Sequence, residues 1–104
     1  MAQYDVYENP NPETRSAVPY LLDVQADLLA PLATRVVVPL RTVAAMGGAA
    51  HHLNPGFTVG GTPVVMSTAE LAGVPQKALG AKVSSLKDKR DDILAALDFL
   101  FTGF

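Results

Sequence analysis

The last third of the chain contains the one stretch whose pattern admits a single local structure. From Leu86 it reads LKDKRDDILAALDFLF, with Ile93, Leu97, Leu100 and Phe101 at i, i+4, i+7 and i+8. That spacing is one face of an α-helix. Ser85 with Asp88 three residues on predicts the N-terminal cap. Asp91 and Asp92 fall in the first turn, where the helix dipole favours acids, and Gly103 predicts a left-handed stop. The closing segment FLFTGF, residues 99–104, places three phenylalanines at a chain end, where polar residues are the rule.

Upstream the signals are those of strands and turns. YDVY (4–7) suits a first strand, and ENPNPETRS (8–16), without one apolar residue, reads as a loop between two strands. AVPYLLDVQADLL (17–29) follows as a second strand, with Tyr20, Leu22 and Val24 on one face and Asp23 and Gln25 on the other. Pro19 belongs at its start or on an edge, because proline donates no ladder hydrogen bond. TRVVVPL (34–40) is a β-branched run closed by Pro39. RTVAAMGGAAHHLNP (41–55) reads as a short helical turn and a loop. FTVGGTPVVMS (57–67) reads as two strands about Gly60–Gly61, with Pro63 favouring an edge position. Residues 68–86, rich in Ala, Gly and Pro, accommodate a helical turn and a short strand. Strands followed by one helix predict an α+β fold dominated by antiparallel sheet.

A length of 104 residues predicts one domain, 1–104. With 49% hydrophobic and 17% charged residues the chain is too apolar for disorder, and self-association is expected. A net charge of −2 without a basic stripe disfavours direct nucleic-acid binding. The absence of cysteine removes thiolate chemistry and disulfides. The N-terminus has no signal-peptide pattern and no apolar run reaches 18 residues, so a cytoplasmic protein without membrane contact is expected.

No residue pattern announces catalysis. His51 and His52 are adjacent and so diverge, which suits a solvated loop better than a metal site. Asp23, Asp27 and Glu70 have no spacing that fixes a pair. Nucleophile-elbow and phosphate-loop motifs are missing. Catalytic residues, metal ligands and cofactor are each expected to be none. Asp98 stands in the last helical turn, where the dipole disfavours an acid and a partner-facing role competes with a surface accident.

LLDVQADLL (21–29), RVVVPL (35–40), LNPGFTVGG (53–61), VVMSTAELAGVP (64–75) and the helix ending in GF resemble, in order, the CcdB family of toxin–antitoxin toxins. The resemblance implies a small antiparallel sheet with SH3-like curvature and one C-terminal helix, assembled as a homodimer. It also implies binding to the A subunit of DNA gyrase, trapping of the gyrase–DNA cleavage complex, neutralisation by a CcdA-type antitoxin, and no enzyme activity. Carried onto this chain, the gyrase-binding positions are Ala26, Leu28, Asp98, Phe101, Thr102, Gly103 and Phe104. The family pattern has tryptophan where Thr102 stands, a ring that stacks on a gyrase arginine. Two alternatives are a protein of this fold that binds antitoxin without poisoning gyrase, and a fold-related ribonuclease using Arg15, Arg35 and Arg41 with Asp23.

Overall fold

A computed structural model describes residues 1–103. Its strands are β1 (Asp5–Glu8), β2 (Tyr20–Asp23), β3 (Thr34–Thr42), β4 (Gly56–Val59), β5 (Thr62–Met66), β6 (Ala72–Pro75) and β7 (Lys82–Ser85). The helices are α1 (Val43–Met46) and α2 (Arg90–Thr102). Every strand pairing is antiparallel, in the order β4-β5-β3-β2-β1-β7, with β6 added to the first half of β3. The sheet curls into a half-barrel and α2 covers its concave side. This is the α+β arrangement that the sequence predicts.

Alternation explains the core. Val6, Leu22, Val24, Val38, Leu40, Val64 and Met66 point inward from neighbouring strands and meet Ile93 and Ala96 of α2. The opposite face of β1–β3 is buried as well, and it is polar: Asp5, Tyr7, Asp23, Gln25 and Arg35 are all covered. Tyr4 adopts a left-handed φ of 72° just before β1. Its amide donates to Asp23 O at 2.6 Å, and its carbonyl accepts from Leu86 N at 2.8 Å. Both neighbouring strands therefore grip the residue, which offsets the cost of a conformation rare for a bulky side chain.

Four expectations need correction. The second strand is shorter than residues 17–29, because Asp27–Leu29 turns into a 3-10 helix. Pro39 does not close β3, which continues to Thr42. Thr42 N donates to Ala17 O and Val36 N to the Gln25 side chain, so even-numbered amides of β3 face β2. Pro39 therefore faces the other side, at the gap where β3 changes partner from β6 to β5, and the missing N–H costs no ladder bond. Pro63 does not lie on an edge strand, since β5 runs between β4 and β3. Its nitrogen looks past Thr42, the last β3 residue paired with β5. Finally, Ser85 does not cap α2. Its Oγ accepts from Lys87 N at 3.3 Å in a 3-10 turn, Lys87–Lys89, held by the buried Leu86. The α-helix begins four residues later than the cap pattern places it.

The glycine turns follow expectation. Gly60 and Gly61, at φ 55° and 81°, make the tight β4–β5 hairpin turn that a side chain at either position would strain. Gly103, at φ 78°, ends α2 and donates its amide to Phe99 O at 2.9 Å. Between residues 68 and 86 there are two strands, β6 and β7, where one was expected. A 3-10 turn at Thr68–Glu70 leads from β5 into β6, and another at Gln76–Ala78 joins β6 to β7.

Candidate functional site

The apolar stripe of α2 is buried only over its first half. Ile93 and Ala96 are sealed and Leu97 packs against the core. Leu100 is half-buried, and Phe101 stands 70% exposed. Helical periodicity thus continues past the sheet that would cover it. Asp98, Thr102 and Gly103 share the exposed end, while Phe104 lies outside the described residues. The Thr102 hydroxyl donates back to Asp98 O at 2.7 Å, so its polar atom is occupied by the helix.

Ala26 and Leu28 lie elsewhere, on the turn after β2. Leu28 is 85% exposed, and the whole segment from 26 to 34 is exposed. Asp27 from this turn and Arg90 from the start of α2 line one recess, so the turn neighbours the beginning of the helix. Asp98–Gly103 lies roughly 12–20 Å further along the axis at 1.5 Å per residue. Within one subunit the six described positions form two groups on separate elements.

Two arginine–carboxylate pairs lie near these elements. Beneath the β2 turn, Arg35 is fully buried with Asp23. Arg35 Nε donates to Asp23 Oδ2 at 2.8 Å. Nη2 stands 2.6 Å from the same oxygen but off the line a hydrogen bond needs. Asp23 Oδ1 accepts from Gln25 N, and the Gln25 side chain bridges Val36 N and Leu29 O. Burial raises the Asp23 carboxyl above its ordinary value despite these partners. Beside it, burial and the neighbouring Asp5 push the Tyr7 hydroxyl up to about 12.

The second pair is open to solvent. Arg41 donates through Nε and Nη2 to the two Glu70 oxygens at 2.7 and 2.9 Å, and Ser67 Oγ donates to Oε1 at 2.5 Å. The Arg41 guanidinium, then the Ser67 hydroxyl, lower the Glu70 carboxyl to about 2. Glu70 closes the turn Thr68–Glu70 on which α2 rests, and Thr68 Oγ1 ties that turn to Leu53 O at 2.5 Å.

The loop thus anchored carries both histidines, which are exposed as expected. His52 also sets its ring edge-on to Phe99 at 5.8 Å and lines a recess of about 270 Å³ with Ala95, Phe99 and Gly103. Nothing in the sequence signals this contact, since it joins two segments through the fold.

The residues considered for RNA cleavage do not converge. Arg35 and Asp23 are sealed together, Arg41 is held by Glu70, and Arg15 lines a separate recess with Glu8 and Tyr20. Among the described residues no helix is long and apolar enough to cross a membrane.

A curled antiparallel sheet, one C-terminal helix and an exposed aromatic at its end are the features that the resemblance leads one to expect. The comparison with protein families agrees over almost the whole length, for the family described as CcdB protein matches residues 3–103. The chain belongs to the CcdB family, and that membership points to the toxin half of a toxin–antitoxin pair.

Proposed function

We propose that residues 1–104 form one toxin unit that binds the A subunit of DNA gyrase, traps the gyrase–DNA cleavage complex and is neutralised by a CcdA-type antitoxin. The contact positions are Ala26, Leu28, Asp98, Phe101, Thr102, Gly103 and Phe104. The observation that carries this reading is Phe101, a large ring left 70% exposed on a helix whose other stripe positions, Ile93, Leu97 and Leu100, are buried or half-buried. Solvent-facing aromatics of this kind are the usual anchors of protein interfaces. In a homodimer with its axis beside the helix ends, each ring acquires a copy next to it, and the two separated groups of one subunit become part of a single face. The protein acts by contact, without a cofactor.

Expression without an antitoxin, together with a gyrase supercoiling and cleavage assay on the purified protein, tests the proposal. Growth arrest and accumulation of cleaved DNA are expected. Normal growth with supercoiling unaffected overturns it.

One observation favours a second reading, in which the protein binds its antitoxin but has lost gyrase. Thr102 offers no ring for a guanidinium, and its hydroxyl is turned back onto Asp98 O. A cation–π contact contributes about 0.5–2 kcal/mol. Its absence from both subunits lowers affinity by roughly 5- to 1000-fold. Under this reading Thr102→Trp raises gyrase affinity sharply. An unchanged affinity means the surface has diverged beyond that position.

A further inference from the structure

Among the described residues of α2 none beyond Ala96 is fully buried, so the core grips the helix chiefly through its first half. Leu97, Phe99 and Leu100 are half-buried, and Asp98, Phe101, Thr102 and Gly103 are exposed. Helix ends held this loosely fray. The last turn is nevertheless closed. Gly103, left-handed at φ 78°, donates its amide to Phe99 O, and Thr102 Oγ1 donates to Asp98 O. Both bonds are local to the helix and are lost together when it unwinds. A contact from elsewhere in the fold is what can keep the turn wound.

That contact comes from the loop before β4. Residues 50–54 form a turn of their own: Leu53 N and Asn54 N both donate to Ala50 O, and Ala50 N donates to the Asn54 side chain. Asn54 Nδ2 donates to Met66 O and Leu53 O accepts from Thr68 Oγ1, which ties the turn to the end of β5 and to Thr68–Glu70. His52 stands on this anchored turn. Its ring lies 4.4 Å from that of His51 and 5.8 Å, edge-on, from that of Phe99. Phe99 is thus held twice, through its carbonyl by Gly103 and through its ring by His52. Phe101 lies about 200° further round the helix at 3.6 residues per turn. The brace therefore acts on the back of the turn whose front shows the exposed ring to solvent.

We propose that His52 is a positioning residue for Phe101: through Phe99 it keeps the last turn of α2 wound and so holds the exposed ring in one place. Its consequence for binding rests on the reading of Phe101 as a partner contact. A partner that needs the wound turn binds with an apparent affinity scaled by the wound fraction. An aromatic pair shifts such an equilibrium by about 2- to 10-fold.

Amide exchange of the whole protein, followed by NMR, reads the turn without any partner. His52→Ala is expected to speed exchange at Gly103 by about 2- to 10-fold and to leave the amides of Ile93 and Ala96 unchanged. His52 is exposed, so the variant keeps its fold. His52→Phe returns a ring and is expected to restore the Gly103 rate. In a Phe99→Ala background, His52→Ala is expected to add nothing. An unchanged Gly103 rate in His52→Ala, no rescue by phenylalanine, or fully additive effects in the double variant overturns the proposal. Affinity for the gyrase A subunit, measured on the same variants, is expected to fall in step with the wound fraction and to recover in His52→Phe. A frayed turn that binds gyrase undiminished also overturns it, since His52 then holds the turn without positioning the contact. Absence of gyrase binding by the unaltered protein defeats the function proposed above, and the exchange rates still decide whether His52 holds the turn.

Discussion

The two arginine–carboxylate pairs use the same chemistry in opposite surroundings. Asp23–Arg35 is sealed beneath the β2 turn, whereas Glu70–Arg41 is open to solvent at the turn that α2 contacts. The sealed pair is surrounded by Gln25, Tyr7 and Asp5, so loss of either partner strands a charge where water cannot reach it. The open pair can exchange each partner for water. Rigidity is therefore unequal: the turn bearing Ala26 and Leu28 is tied to a closed polar layer, and the turn Thr68–Glu70 against which α2 packs is held by a clamp that solvent can loosen.

The largest expected effect comes from breaking the sealed pair. Asp23→Ala is expected to lower unfolding free energy by about 3–5 kcal/mol in urea titration, because Arg35 is left buried and uncompensated. A loss below about 1 kcal/mol would mean that water reaches Arg35, and the contrast would fail. Replacing both partners, Asp23→Leu with Arg35→Met, sharpens the point, since a well-packed apolar pair is expected to be far less costly than either single change. If the double variant equals the single one, packing and not charge is what the site demands.

Glu70→Gln tests the open clamp. The expected loss is about 0.5–1 kcal/mol, reduced further by salt, since exposed pairs are screened. Acidity separates the two carboxyls in sign. Glu70 titrates at about 2 in the folded chain, below its unfolded value, so its contribution is present above about pH 5 and is lost as pH falls toward 2. Asp23 is shifted upward by burial, so its contribution is fully present below its unfolded value and diminishes as pH rises through the folded one. Carboxyl NMR titration reads both directly, and Asp23 titrating below Glu70 would reverse the comparison. The smallest effect on stability belongs to Phe101→Ala, within about 0.5 kcal/mol by thermal melting, as expected of an exposed position. A larger loss would show that the ring packs onto its own subunit.

How much of this was legible depended on whether the deciding contact was local. Hairpin glycines, the acidic first turn of α2 and the Gly103 stop involve neighbours in the chain, and each was readable. Pro39 was misread because its tolerance rests on a change of partner strand, which no pattern within residues 34–40 encodes. Ser85 and Asp88 do have the spacing of a capping box, but burial of Leu86 imposes a 3-10 turn first. Strands β6 and β7 escaped separation because Ala, Gly and Pro dilute their alternation. At the surface, the helical stripe grouped Phe101 with the packed face of α2, and only the family resemblance gave it a place in a presented surface. The division of the site into two groups was invisible, since it depends on which end of α2 the β2 turn approaches. The sealed Asp23–Arg35 pair was equally hidden, as an alternating strand face with Asp and Gln ordinarily signals solvent.

The pairing of β1 with β7 joins Asp5 to Ser85 and Val6 to Ser84, contacts between distant parts of the chain. Closing so long a loop is entropically costly and slow compared with the β4–β5 hairpin. During synthesis β1 therefore waits with one side bare until residues 82–85 have emerged from the ribosome. The helix end carrying Phe101 is made later still, so a prematurely terminated product lacks both the final strand and the ring. The proposed contact ring is therefore complete only once the sheet's last strand is available to close.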